Sequence, residues 1–113
     1  MALGQDYTKI DDAKDLPLIP LKMTASGIVF NGPCVLRGFK IFTDKTNPLR
    51  AEFYDDTVAD PNWLDGLEIV GSDLSGGNWA PGIIRVRTLL RLVITGTIGT
   101  GYVGVFYNDY DPS

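Results

Sequence analysis

Apolar side chains recur along this chain in short β-like runs punctuated by glycine, proline and aspartate. The runs are Met23 to Phe30, Cys34 to Thr43, Leu49 to Tyr54, Gly66 to Val70, Ile83 to Thr95 and Tyr102 to Tyr107. Successive side chains of a strand point to opposite faces, so alternation assigns residues to faces. Leu49, Ala51 and Phe53 alternate with Arg50, Glu52 and Tyr54, the half-buried pattern of an antiparallel strand. In Cys34 to Thr43, Val35, Arg37, Phe39, Ile41 and Thr43 are expected on one face. Cys34, Leu36, Gly38, Lys40 and Phe42 are expected on the other. Both faces are partly apolar, which predicts one face in the core and the other against a partner or the N-terminal segment. Val103, Val105 and Tyr107 stand opposite Tyr102, Gly104 and Phe106. In the run from Ile83 to Thr95, Leu90, Leu92 and Ile94 alternate with Arg91, Val93 and Thr95, and its length exceeds that of a usual strand, so a bend is expected at Thr88 or Leu89.

Turn chemistry separates the runs. Asn31-Gly32-Pro33 joins two of them, and Asp44 to Pro48 forms the next turn, with Pro48 at a strand start or an edge because it lacks an N–H. Asp55 to Asp65 reads as an acidic connection with room for one helical turn near Pro61 to Leu64. Gly71 to Gly82 reads as loop, and Gly96 to Gly101 as a turn. Six to eight strands at this spacing predict an all-β fold: a single antiparallel β-sandwich of jelly-roll type.

Residues 1–22 differ from the rest. Charged residues up to Asp15 give way to Leu16, Pro17, Leu18, Ile19, Pro20 and Leu21. Two prolines so close together disfavour a helix and extend the residues before them. An extended segment with four large apolar side chains needs an apolar surface, on its own domain or on a neighbour. The expected organisation is an extended N-terminal arm, 1–22, and a sandwich domain, 23–113.

A length of 113 residues suits one domain with a real core. No apolar run approaches the roughly 20 residues of a membrane span, so no membrane association is expected. The polar, acidic start lacks the basic and apolar regions of a secretory signal, so none is expected. The net charge of −4 argues against a nucleic-acid partner, whose phosphates would call for a basic surface. From Asp55 to Trp79 every charged residue is acidic. Arg85, Arg87 and Arg91 follow on an apolar stretch and are candidates for polar contacts between subunits.

The chain has no histidine and one cysteine, Cys34. That removes serine–histidine chemistry and the usual zinc ligand sets. Cys34, in an apolar run, reads as a buried structural thiol. The carboxylates of Asp55, Asp56, Asp60 and Asp65 share one loop, with nothing to set two of them across a cleft as a glycosidase requires. An irregular calcium site of Asp55, Asp56 and Asp60 is the remaining cation candidate, against solvated loop carboxylates. No catalytic residue, metal or cofactor is expected. Trp63 and Trp79, with Tyr54, Tyr102, Tyr107 and Tyr110, are candidate aromatic contacts, for a sugar face or for a core or subunit interface.

Three short motifs carry a family resemblance. Gly32, Pro33, Leu36 and Gly38 form a Gly-Pro-x-x-Leu-x-Gly element after a Ser-Gly strand start. A later strand ends in Phe53-Tyr54-Asp55-Asp56, and Tyr102-Val103-Gly104-Val105-Phe106-Tyr107 follows near the end. This order resembles the small β-sandwich virion proteins of tailed bacteriophages, over residues 23–107, with Asp56 standing where that pattern has glycine. The resemblance implies a capsid decoration or cement protein on the outer surface of the virion, with the major capsid protein as partner. It also implies a homo-oligomer, a trimer. Shell contact would run through the arm, Leu16 to Leu21, and one sandwich face. A carbohydrate-binding module using Trp63 or Trp79, and a tail or fibre component, are the alternative expectations.

Overall fold

The computed structural model describes residues 18–56, 62–70, 75–78 and 84–109. In chain order the strands are β1 (Ile19–Met23), β2 (Gly27–Phe30), β3 (Cys34–Phe42), β4 (Leu49–Tyr54), β5 (Trp63–Ile69), β6 (Ser75–Asn78), β7 (Ile84–Val86), β8 (Leu90–Gly96) and β9 (Tyr102–Asn108). All pairing is antiparallel. The first sheet has the order β1-β9-β3-β6, with β7 also on β3, and the second has β2-β8-β4-β5.

β6 lies along Phe39–Phe42 and β7 along Cys34–Leu36, so two short strands share one position beside β3. With that position counted once, the topology is simple. The pairs β4·β5, β3·(β6, β7), β2·β8 and β1·β9 are the rungs of one long hairpin, tip to ends, and they alternate between the sheets. β3·β9 and β4·β8 then close each sheet sideways. A rolled-up antiparallel ribbon of this kind is a jelly roll.

The core lies between the sheets. Leu36, Phe39, Ile41, Val103 and Val105 from the first meet Leu49, Ala51, Phe53, Leu90 and Leu92 from the second, all buried. Phe39 and Phe53 bridge the two layers with ring centroids 4.7 Å apart and tilted by 49°, a favoured aromatic arrangement. The corner between β1 and β2 is tied down by Ser26, whose hydroxyl accepts the N–H of Ile94 at 2.8 Å.

The alternation in β4, β8 and β9 and the strand start after Pro48 are as expected. The bend inside Ile83 to Thr95 falls at residues 87–89 and carries the chain from the first sheet to the second. Four expectations are corrected. The two faces of Cys34 to Thr43 do not run through unbroken, because a bulge between Leu36 and Gly38 takes Arg37 out of the ladder. Cys34 and Leu36 therefore share the core with Phe39 and Ile41. Trp63 and Leu64 begin β5 rather than a helical turn, and Ser75–Asn78 is strand rather than loop, since β3 and β4 offer them ladder partners. The arm is shorter than 1–22. Ile19–Met23 pairs with Val103–Tyr107, and Leu21 and Met23 pack on the core, so they belong to the sandwich. Residues 1–17, including Leu16 and Pro17, lie outside the described residues.

Candidate functional site

The face of the first sheet turned away from the core carries the most organised surface. Because Val103, Val105 and Tyr107 point inward, Tyr102, Gly104 and Phe106 point outward. The register sets their neighbours. Pro20 lies opposite Phe106, Lys22 and Lys40 flank Gly104 from either side, and Phe42 lies opposite Tyr102. Three cross-strand rows result. The middle row has no side chain at its centre, so the sheet surface is grooved at Gly104.

One wall of this slot is Pro20 and Phe106. The other is the Phe42–Tyr102 pair, stacked with centroids 4.6 Å apart and 23° between planes. The Lys22 ammonium sits 4.5 Å from the centre of the Tyr102 ring, a cation–π contact that holds this charge at one end of the slot. Lys40, exposed, stands on the far side of Gly104, beside the slot rather than in its lining. The slot has a volume of about 350 Å³ and is open to solvent. Its walls suit an apolar or aromatic side chain, and the two ammonium groups suit a carboxylate beside it.

The arm residues meet this surface only in part. Pro20 and Leu21 line the slot, Leu18 and Leu21 are half-buried, and Ile19 is exposed on the edge strand. Pro20 cannot donate a ladder hydrogen bond, which suits it to an edge strand and blunts the edge for further pairing. Of the residues that complete the slot, Tyr102 was among the aromatic candidates, whereas Lys22, Phe42, Gly104 and Phe106 were not singled out from the sequence as contact residues. The signal for them was the second face of each alternating strand, where aromatic residues stand at positions a solvated face would fill with polar ones.

The three arginines do not form one patch. Arg85 is exposed on β7 in the first sheet, and Arg87 is exposed in the bend. Arg91 stands in the second sheet, where its Nε donates to the Asp56 carbonyl at 2.8 Å and its guanidinium lies 4.8 Å from the Tyr54 ring centre. Arg91 covers Tyr54 within its own subunit because the register places the two directly opposite.

The acidic connection is likewise committed internally. The Asp55 carboxylate accepts the backbone N–H groups of Arg87, Thr88 and Leu89 at 2.8, 2.9 and 3.3 Å. Asp56 accepts from the Asn62 side chain at 3.5 Å. Asp60 lies outside the described residues. Asp55 thus pins the bend between the sheets, and its oxygens are turned to amides rather than toward a cation. Among the described residues no three carboxylate or thiol groups gather as a metal site.

Cys34 is buried in the core, and loss of hydration pushes its thiol up to about 12, with the charges of Asp55 and Asp109 adding to the shift. It is a packing residue, as its run predicted. Trp63 is 47% exposed on β5 at the edge of the second sheet. Trp79 lies outside the described residues. Among the described residues no helix is long and apolar enough to cross a membrane. Comparison with protein families, with characterised proteins and with solved structures finds no match to this chain.

Proposed function

We propose that this jelly roll is a structural assembly module, a decoration or cement protein that fastens to the outer surface of a viral capsid. The observation that carries the reading is the slot at Gly104. It is an apolar, aromatic-walled surface with Lys22 in its lining and Lys40 beside it, built on three adjacent strands of a rigid sheet. Such a surface serves as a docking face, where aromatic side chains supply contact area at low entropic cost and flanking charges set orientation. The partner it fits is an acidic, apolar-tipped segment of the major capsid protein. The segment before β1 leads into the sheet beside the same surface, so arm and slot can act together on one shell. Many copies on a lattice make modest individual contacts sufficient.

The bottom of the fold supports the same reading. The groups with chemical potential, Asp55, Arg91 and Cys34, are spent on holding the sandwich together. A homo-oligomer, a trimer, belongs to the proposal, and light scattering on the purified protein tests it.

The test of docking uses Gly104→Gln. The atoms nearest to a Cβ at Gly104 are ring atoms of Phe106 and Phe42 at 3.8–4.0 Å, ordinary contact distances. The fold therefore accepts a side chain there while the slot is filled. Wild-type protein should co-sediment saturably with capsids from the source that encodes this chain, and Gly104→Gln should fold and fail to do so. Equal binding by the two proteins would remove the slot from the account, and no binding by either would remove the capsid.

A further inference from the structure

Docking through the first sheet leaves the second sheet turned outward, and a built feature lies there. Trp63 pairs with Tyr54 across a register shift, with Phe53 opposite Asp65 and Leu64 taken up by a bulge. Without that extra residue Leu64 would stand opposite Tyr54 on the outer face and Trp63 would turn inward. The bulge instead packs Leu64 against the core and sends the largest side chain of the strand to solvent. Bulges commonly re-aim side chains beside functional sites.

The indole borders a depression of about 230 Å³ lined also by Arg50, Glu52, Gly66, Leu67 and Glu68. Gly66 forms its low point. A Cβ there would come 2.9 Å from the Ala51 carbonyl oxygen and 3.1 Å from Glu52 Cγ, so the close approach of β4 reserves this position for glycine. Arg50 Nε and Glu52 Oε1 are 3.3 Å apart, which orients a planar donor and a planar acceptor on one rim. Glu68 stands across the strands from Arg50.

We propose that this depression is a subsite for a neutral pyranose sugar. A pyranose presents a face of C–H groups and a rim of hydroxyls that both donate and accept. An exposed indole matches the face. The Glu52 and Glu68 carboxylates accept from hydroxyls, and the Arg50 guanidinium donates to them. Two carboxylates against one guanidinium disfavour an acidic sugar. The open shape suits a residue within an exposed glycan chain, at an affinity that repetition on a particle would raise. On a decorated shell the site would face outward and hold the particle to a glycan surface.

The test is a titration of the full chain, labelled with ¹⁵N, with maltotriose, cellotriose, lactose and mannotriose, and with sialyllactose as the acidic counter-probe. Saturable shifts of the Trp63 indole N–H and of amides 50–52 and 63–68 by a neutral sugar, with weaker response to sialyllactose, are expected. Trp63→Ala should weaken binding about tenfold or more, the loss of roughly 1.4 kcal/mol of stacking. Glu52→Gln should weaken it less and leave the fold intact. No saturable shift with any neutral sugar, or binding that Trp63→Ala leaves unchanged, overturns the proposal. Either outcome is independent of whether the first sheet binds a capsid.

Discussion

Asp55 joins the acidic connection after β4 to the bend between β7 and β8, and replacing it tests whether one carboxylate holds two sheets in register. Its oxygens accept three N–H groups, Arg87 on one oxygen and Thr88 and Leu89 on the other. Hydrogen bonds to a charged acceptor contribute about 1.5–3 kcal/mol each when buried. Arg87 and Thr88 are exposed, so water would take over much of their share in a variant, whereas Leu89 is buried. Asp55→Ala is therefore expected to cost about 2–4 kcal/mol. Asp55→Asn keeps one acceptor oxygen but sets an NH₂ against one of the amides, and should cost about 1–2 kcal/mol. Urea unfolding at neutral pH measures both, with the slope unchanged if the native state keeps its compactness. Native-state hydrogen exchange adds a local readout, since amides 87–89 should lose protection before the strands do. A cost below about 0.5 kcal/mol for Asp55→Ala, within the range of ordinary surface changes, would mean that this carboxylate does not hold the bend.

Phe53→Ala removes one ring of the Phe39–Phe53 bridge and should destabilise by about 3–5 kcal/mol in the same urea experiment. The Cys34 thiol should resist alkylation in the folded protein and react on unfolding. Its folded value lies above the unfolded one, so its contribution is complete below about pH 9 and is lost as pH rises toward 12. The slope from that group is at most about 1.4 kcal/mol per pH unit, and Cys34→Ala should remove it from the alkaline limb of stability. Asp44 behaves oppositely. The N–H groups of Asn47 and Thr46 and the Asn47 side chain hold its carboxyl below the ordinary aspartate value. Its contribution is complete above about pH 4 and is lost as pH falls through the folded value, so Asp44→Asn should flatten the acid limb of a pH series.

Strand identity and the inward faces were legible in Leu49–Phe53, Leu90–Leu92 and Val103–Tyr107, because one-sided burial writes a period of two into the chain. The jelly roll followed from strand number and spacing. Features that rest on an irregularity were not legible. The bulge at Arg37 shifts a strand by one residue without a composition signal, and that shift reverses the assignment of every side chain before it. β6 has the sequence Ser-Gly-Gly-Asn, loop-like by propensity, and is strand because β3 offers it a ladder. The same limit applied to the surfaces. Lys22, Gly104 and Lys40 are scattered in sequence and meet only through the register of three strands, so the slot belongs to the topology rather than to any one run. Trp63 was visible as a large aromatic residue in a polar stretch, but the bulge that turns it outward was not. Asp55 read as a solvated loop carboxylate and Arg91 as a polar contact for a neighbouring subunit, and folding gives both of them contacts within the chain.

Whether the first sheet faces a capsid, as proposed, is measured most directly by a cryo-electron microscopy reconstruction of the particle from the source that encodes this chain. Jelly-roll density is expected on the outer surface, with Phe42, Tyr102 and Phe106 against the shell and Trp63 toward solvent. Density with the second sheet against the shell, or particles that lack the protein, would contradict the proposal.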